Sequence, residues 1–332
     1  METQPPLTMK VVVAIYSPNE VWTIPASLVD VLRRRFPDIT FSHAENEADL
    51  VRLIVDADAA FTSVLTAGAF AAATRLKWVH SSAAGVGSML FPALQASPVV
   101  MTNSRGMSAA SVAEHAFALI LAAVRRLPEA IRAQAAGRWI QTELSRLPVL
   151  QGRTLGIIGL GAIGREVARI GAGFRMRVVG TRRETDDPVP AGVDEALSPS
   201  GLPALLTAAD IVVLAAPLTA ETRGMIGARE LALMKPTAWL VNVARGKLVR
   251  EAALIEALRA GTIAGAALDV MDHEPLDPAS PLWSLPNVIL TPHVAGFRAD
   301  YWDAATALFA DNLARFVKSE PLLNQVDKHA GY

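Results

Sequence analysis

The chain has 332 residues, of which 52% are hydrophobic and 19% charged, and this composition excludes intrinsic disorder and low-complexity repeats. Its 31 basic and 32 acidic residues give a formal net charge of -1, so no global positive field is available to hold nucleic acid or an anionic membrane surface. This length favours two domains.

The sequence contains no cysteine, which rules out disulfides, thiolate metal sites and a cysteine nucleophile. The first apolar run, residues 11–16, is too short for the core of a signal peptide. His115 and His273 lack the paired spacing of a zinc-binding helix, so packing or surface roles are favoured over metal binding. We therefore expect a cytoplasmic protein without bound metal, nucleic-acid partner or membrane segment.

In the amino-terminal part of the chain, short apolar runs alternate with amphipathic stretches, which predicts a parallel sheet flanked by helices. The predicted strands are 10–16, 39–42, 59–63 and 77–80, and the predicted helices are 26–36, 47–56 and 68–74. A long alanine-rich helix is predicted over 107–127, ending before Pro128.

A second alternating series begins near Arg153, and its six strands match a doubly wound nucleotide-binding fold. These predicted strands are 155–159, 177–180, 211–214, 238–242, 265–268 and 288–290. The pattern closes with an amphipathic helix over 302–317.

A glycine-rich turn follows the first strand of this second series. Gly159 would permit a tight turn, Gly161 would let backbone N–H groups approach a pyrophosphate, and Gly164 would let the next helix pack against the strand. The positive end of that helix would stabilise the anion. A glycine-rich turn without a ligand is the alternative.

The second strand of the series ends in Thr181-Arg182-Arg183, where an NAD-binding fold usually carries an acidic residue. Two guanidinium groups suit the extra 2′-phosphate of NADP, because arginine makes charge-assisted and often bidentate bonds to phosphate. The sequence therefore predicts a preference for NADP(H), with NAD(H) as a second cofactor. A solvated arginine pair is the alternative, since the acidic residues Glu184, Asp186 and Asp187 follow closely.

Three further strand ends carry an arginine, a glutamate and a histidine, namely Arg245, Glu274 and His293. Doubly wound folds place their clefts at the carboxyl ends of the strands. An imidazole there exchanges protons near neutral pH, so His293 is the candidate general acid and base.

These stretches, in order and spacing, resemble the D-isomer-specific 2-hydroxyacid dehydrogenase family over nearly the whole chain. The resemblance rests on the glycine turn, Ala216-Pro-Leu-Thr219 with Glu221-Thr222, Val241-Asn-Val-Ala-Arg-Gly246, Leu268-Asp-Val270 with Glu274-Pro-Leu276, and Pro292-His293 with Gly296. It implies hydride transfer between a nicotinamide cofactor and a small 2-oxo or 2-hydroxy acid of D configuration, with reduction the expected direction.

The resemblance also implies roles for individual residues. Arg245 would hold the substrate carboxylate and polarise its carbonyl, His293 would be the acid and base, and Glu274 would hydrogen-bond His293. Further substrate contacts are expected from the backbone of Ala84, Gly85 and Val86, for which a plain tight turn is the alternative. The expected cofactor-binding residues are Gly159, Gly161, Ala162, Ile163, Gly164, Thr181, Arg182, Arg183, Pro217, Thr222, Ala244 and Asp269.

For the fold, the resemblance implies two α/β domains with doubly wound parallel sheets. A Rossmann cofactor domain (102–296) would be inserted in a flavodoxin-like substrate domain (1–101 and 297–332), and the chain would form a homodimer through the cofactor domains and the 107–127 helix.

Two alternatives remain at this point. One is a related formate- or phosphite-type dehydrogenase, although Glu274 beside His293 argues against the formate branch. The other is a nicotinamide-sensing regulatory protein, similar to a corepressor, that binds the cofactor on the same fold without turnover.

Overall fold

The computed structural model describes residues 9–183 and 187–331, which form two compact units. The described residues up to Met107, together with those from Ala299 onward, make up the first unit, and Ser108–Arg298 makes up the second. The second unit is therefore inserted in the sequence of the first.

The first unit is built on a five-stranded parallel sheet whose strand order, β2-β1-β3-β4-β5, is that of flavodoxin. Its strands are β1 (Lys10–Ala14), β2 (Thr40–His43), β3 (Ala59–Thr62), β4 (Trp78–Ser81) and β5 (Val100–Asn103). The intervening helices are α1 (Ala26–Arg35), α2 (Glu47–Leu53), α3 (Ala67–Ala72) and α4 (Pro92–Ala96).

The second unit is built on a seven-stranded parallel sheet. Its strands are β6 (Thr154–Ile158), β7 (Arg177–Thr181), β8 (Glu195–Leu197), β9 (Ile211–Leu214), β10 (Trp239–Asn242), β11 (Gly265–Leu268) and β12 (Val288–Leu290). Its helices are α5 (Ala109–Val124), α6 (Leu127–Ala135), α7 (Ala162–Gly173), α8 (Leu202–Ala208), α9 (Ala228–Leu233) and α10 (Glu251–Arg259).

The strand order in this sheet is β12-β11-β10-β9-β6-β7-β8, which is the doubly wound nucleotide-binding order with one additional strand at the β12 edge. The predicted fold class of two doubly wound parallel-sheet domains is confirmed. The sheet also contains β8, which the sequence analysis did not predict.

The chain returns to the first unit as α11 (Tyr301–Val317), which covers one face of the first sheet. Phe309 of α11 stacks on Trp78 of β4 at 5.2 Å and on Phe61 of β3 at 4.4 Å between ring centroids. All three side chains are fully buried. Aromatic packing of this kind contributes about 0.5–1.5 kcal/mol per pair beyond the burial of area.

The helix predicted over 107–127 is divided in the structure. Its first part ends at Val124, Arg126 adopts the left-handed conformation with φ 53°, and α6 then begins at Leu127. Pro128 lies in the first turn of α6. Backbone N–H groups in the first turn have no partner within the helix, so the lack of an N–H in proline removes no hydrogen bond there. Proline therefore marks the start of a second helix here and not only the end of the first. No helix among the described residues combines the length and the apolar character that crossing a membrane requires.

Candidate active site

The glycine turn after β6 has the geometry that its spacing predicts. Gly159 has φ 103°, and a Cβ atom there would lie 2.7 Å from the backbone N of Ala216. A Cβ atom on Gly164 would lie 2.0 Å from the carbonyl oxygen of Gly159. Both positions exclude a side chain, because the backbone after β9 lies directly against Gly159 and α7 packs directly against the turn at Gly164.

Gly161 differs from its two neighbours, because a Cβ atom there would meet no described atom within 4 Å. Its lack of a side chain is not required by packing within the protein and instead leaves the backbone accessible from outside. Gly161 also caps α7, whose first residues Ala162 and Ile163 carry N–H groups without partners in the helix. The turn therefore fits the phosphates of a dinucleotide.

The end of β7 is tied to the same turn, because the Thr181 carbonyl accepts from the N–H groups of Gly159 (3.2 Å) and Leu160 (2.9 Å). Arg182 donates to the carbonyl oxygens of Asp187 and Pro188, the latter at 3.0 Å, and Arg183 is exposed. The acidic residues Glu184 and Asp186, which favoured the solvated alternative, lie outside the described residues.

Two further loops carry the expected cofactor contacts Pro217, Thr222 and Ala244. After β9, the Thr222 hydroxyl donates to the Pro217 carbonyl at 2.7 Å and accepts from the Thr219 N–H at 2.8 Å. After β10, the buried Asn242 side chain accepts from the Ala244 N–H at 3.1 Å and donates to the Arg245 carbonyl at 3.0 Å. Asn242 thus fixes the turn that presents Arg245, a role that the sequence analysis did not assign.

The turn carrying Arg245 lies directly against the turn after β11. A Cβ atom on Gly246 would lie 1.9 Å from the carbonyl carbon of Met271, so only glycine allows this approach. Met271 in turn donates its N–H to the Glu274 carboxylate at 2.9 Å. Close packing of two backbones therefore brings the Arg245 charge near Glu274.

Glu274 and His293 are hydrogen-bonded to each other. The second carboxylate oxygen of Glu274 lies 2.7 Å from Nδ1 of His293. Nε2 of His293 has no hydrogen-bond partner within the described part of the chain, and the imidazole is partly exposed. Because the carboxylate accepts at Nδ1, Nε2 is the nitrogen that can exchange a proton with a substrate.

The pKa of Glu274 lies below its ordinary value. Burial raises this pKa, but the hydrogen bonds from His293 and from the Met271 N–H, with the nearby charges of His293 and Arg245, lower it by more. Glu274 is therefore a carboxylate at neutral pH, as an acceptor for His293 Nδ1–H must be.

Asp269, at the carboxyl end of β11, is 1% exposed. Its carboxylate accepts from the Thr291 hydroxyl, which precedes His293, and from the N–H groups of Val294 and Ala295, which follow it. The sequence analysis related Asp269 to the cofactor, and the structure shows that its side chain also anchors the loop carrying His293. The sequence around Asp269 does not indicate this role, because the residues that it bonds are at least 22 positions away.

In the first unit, the loop after β4 holds Ala84, Gly85 and Val86. Four consecutive carbonyl groups before and within this loop are hydrogen-bonded: Ser81 to Ser104 Oγ (3.0 Å), Ser82 to Tyr301 Oη (3.0 Å), Ala83 to Ser104 N (3.2 Å) and Ala84 to Asn103 Nδ2 (2.7 Å). The N–H groups of Ala84, Gly85 and Val86 have no partner among the residues that the structure describes. Such a row of N–H groups is suited to an anion.

The site in the second unit thus combines a positive guanidinium, a carboxylate-bound imidazole and a dinucleotide turn at the carboxyl edge of one sheet. This set can bind an anion and deliver a proton to an oxygen that becomes negatively charged. No group of His, Asp and Glu side chains in the described ranges, 9–183 and 187–331, could hold a metal ion.

Comparison with known proteins identifies relatives of the whole chain. Residues 117–295 match the family described as D-isomer specific 2-hydroxyacid dehydrogenase, NAD binding domain. The chain is similar to a glyoxylate reductase of Thermococcus gammatolerans, with 38% identity over 309 residues that cover 90% of this chain and 91% of that one.

Solved structures give the same picture. A D-isomer specific 2-hydroxyacid dehydrogenase from Xanthobacter autotrophicus Py2, in complex with NADPH and MES, is 32% identical with a TM-score of 0.84 and covers 98% of this chain and 100% of its own. An NADPH-dependent glyoxylate/hydroxypyruvate reductase from Sinorhizobium meliloti, in complex with NADP and sulfate, is 29% identical with a TM-score of 0.83 and the same coverage.

Proposed function

The chain belongs to the D-isomer-specific 2-hydroxyacid dehydrogenase family, and from this premise we propose that it reduces a small 2-oxo acid to the D-2-hydroxy acid with NADPH. The observation that carries this proposal is the 2.7 Å hydrogen bond between Glu274 and Nδ1 of His293. The turn after β11 that leads to Glu274 packs against the turn that carries Arg245.

Arg245 supplies the charge that a 2-oxo acid requires. Its guanidinium binds the substrate carboxylate and attracts the carbonyl oxygen as negative charge develops there. Because that charge is larger in the transition state than in the bound substrate, a fixed guanidinium accelerates the reaction as well as binding the substrate.

His293 supplies the proton. Nε2 of the imidazolium donates to the carbonyl oxygen, while Nδ1–H remains bonded to Glu274 and the carboxylate stabilises the charged ring before the transfer. When bound, the reduced nicotinamide supplies the hydride that the carbonyl carbon receives. In the oxidative direction the neutral imidazole takes the hydroxyl proton back at the same atom.

The cofactor is held, in this proposal, by the glycine turn and the start of α7, with Thr181, Arg182 and Arg183 at the adenosine end and Pro217, Thr222, Ala244 and Asp269 along its length. The accessible backbone at Gly161 supports this assignment. NADPH bound to one structurally similar protein and NADP bound to another support the choice of the phosphorylated cofactor.

Further binding of the substrate carboxylate is assigned to the N–H groups of Ala84, Gly85 and Val86. The carbonyl groups of Ser81, Ser82 and Ala84 are held by side chains of the first unit, which keeps the N–H groups of the loop in a fixed arrangement. Glyoxylate and hydroxypyruvate are the first substrates to test, since proteins named for them are among the relatives.

The decisive experiment follows the loss of cofactor absorbance at 340 nm with glyoxylate, hydroxypyruvate and a bulkier 2-oxo acid, each with NADPH and with NADH. The His293→Asn variant should lower kcat by two to four orders of magnitude, about the range for removing a general acid. The matched control is His329→Asn, at an exposed histidine of the first unit, which should leave kcat unchanged.

A wild-type protein that binds NADPH but turns over none of these acids would favour the regulatory alternative. Turnover that survives in His293→Asn would contradict the assignment of His293.

A further inference from the structure

A hydrogen-bonded chain of side chains joins helix α5 to the loop that carries His293. Nε2 of His115 lies 2.9 Å from the Thr291 hydroxyl, and that hydroxyl lies 2.6 Å from a carboxylate oxygen of Asp269. The same oxygen is 3.4 Å from His115 Nε2. The three residues come from α5 and from the loops after β12 and β11.

The positions of the protons in this chain follow from the chemistry of its members. The Asp269 carboxylate accepts from two backbone N–H groups and acts as an acceptor, so it takes the single proton of the Thr291 hydroxyl. Thr291 can then only accept from the imidazole. His115 must therefore carry hydrogen on Nε2 and donate it to Thr291.

This series of hydrogen bonds ends at the bonds that hold the backbone around His293. The Asp269 carboxylate holds the N–H groups of Val294 at 3.0 Å and Ala295 at 2.9 Å, and the Asp269 carbonyl holds the N–H of His293 at 2.8 Å. His293 itself has φ 55°, a left-handed conformation that is uncommon for a residue with a side chain. Asp269 holds the backbone N–H groups of His293 and of the two residues after it, and the Thr291 carbonyl also accepts from the His293 N–H, at 3.1 Å.

We propose that His115 is a positioning residue for the reaction: through Thr291 it fixes the orientation of the Asp269 carboxylate, and thereby keeps His293 in the conformation that bonds Glu274. This inference rests on the proposed role of His293 as general acid. The sequence alone favours a packing or surface role for His115, but its imidazole is partly buried and is hydrogen-bonded at Nε2.

The test compares two substitutions of His115. Gln places an amide N–H at the same number of bonds from Cα as Nε2, so His115→Gln retains the donor, whereas His115→Phe retains a ring and removes the donor. We expect His115→Phe to lower kcat about tenfold through misplacement of the acid, with KM for the 2-oxo acid and Kd for NADPH little changed. His115→Gln should recover most of that loss. Glu114→Gln, exposed on the same helix, is the control and should match the wild type.

If His115→Phe does not fold, a second pair of variants tests the same series of hydrogen bonds at Thr291. Thr291→Val removes the hydroxyl and Thr291→Ser retains it, so the valine variant should show the loss and the serine variant should not.

A double substitution separates this inference from the proposed function. In a His293→Asn background, His115→Phe should cause no further loss of kcat, because the loop then carries no acid to position. A His293→Asn variant with wild-type turnover would overturn the proposed function itself. Equal losses from His115→Phe in both backgrounds, no loss in the wild-type background, or a His115→Gln variant as slow as His115→Phe would each overturn the role of His115.

Discussion

Glu274 interacts with both of the other residues assigned to the chemistry, His293 and Arg245. One of its oxygens accepts from the Met271 backbone, the other accepts from His293, and the Arg245 charge lies nearby. Because its pKa is lowered in the folded chain, its charged form contributes stability that is present above its ordinary pKa of 4.5 and is lost as pH falls through the lowered value. Glu274 therefore stays charged throughout the range in which an imidazole takes up a proton.

Arg182 is the residue on which the cofactor preference is tested. A hydrogen bond to a charged group contributes about 1.5–3 kcal/mol, which corresponds to roughly a ten- to hundredfold change in affinity. We expect Arg182→Ala to raise Kd for NADPH by that factor and to leave Kd for NADH little changed, as measured by titration of cofactor fluorescence.

The control for this substitution is Arg169→Ala, which removes an exposed arginine of α7 that pairs with Glu166 at 2.9 Å. Its affinities for both cofactors should equal those of the wild type. Equal weakening toward NADH and NADPH in Arg182→Ala would show that Arg182 only shapes the loop, through its bonds to the carbonyls of Asp187 and Pro188.

At the scale of elements, the loops after the strands are held by contacts from distant parts of the chain. Tyr301, the first residue of α11, donates its hydroxyl to the Ser82 carbonyl in the loop after β4. Trp22 packs edge-on against Tyr301 with ring centroids 5.9 Å apart. The C-terminal helix thus contributes directly to the geometry of the proposed carboxylate-binding loop.

Tyr301→Phe removes this hydrogen bond with little change in volume. A neutral hydrogen bond of about 1 kcal/mol corresponds to about a fivefold change, so we expect KM for the 2-oxo acid to rise about fivefold with Kd for NADPH unchanged. Steady-state kinetics of this variant would be compared with those of Tyr16→Phe, which removes a hydroxyl bonded to Glu47 elsewhere in the first unit. A KM equal to the wild-type value would show that the loop holds its form without Tyr301.

The elements that the sequence predicted are those with local causes. The glycine turn, β6 and β9 each follow from a few adjacent residues whose spacing or apolar character has one structural meaning. The sequence analysis did not predict β5 (Val100–Asn103), because its four residues include Thr102 and Asn103 and give no apolar run. Helices α4, α6, α8, α9 and α10 are likewise not predicted from the sequence.

The site shows the same limit. Arg245, Glu274 and His293 could be named because their motifs resemble those of a family, whereas His115 lies 176 residues from the hydroxyl that it bonds. Thr291 and Tyr301 likewise gain their roles only from contacts with residues that are distant in sequence. Periodicity and spacing carry no information about such pairs, and the fold alone brings them together.

At the scale of the whole molecule, four of the exposed large apolar side chains of the second unit lie in one segment, residues 127–149. These are Leu127, Ile131, Trp139 and Val149, and Trp139 is 88% exposed. Large apolar side chains left in water along one stretch of sequence indicate an interaction surface. Helix α5, which the sequence analysis expected at a dimer interface, has most of its apolar residues buried within its own unit.

We expect this segment to lie in the interface of a homodimer with twofold symmetry, so that each of its residues occurs twice in the interface. Loss of one large apolar side chain costs about 2 kcal/mol, so Trp139→Ser removes about 4 kcal/mol per dimer and should raise the dissociation constant at least a hundredfold. Sedimentation equilibrium measures this constant directly.

Trp283→Ser is the control, because Trp283 is also exposed but lies outside the segment. A wild-type chain that sediments as a monomer at high concentration would contradict the dimer. A dimer equally weakened by both substitutions would place the interface elsewhere, because only Trp139 belongs to the apolar segment.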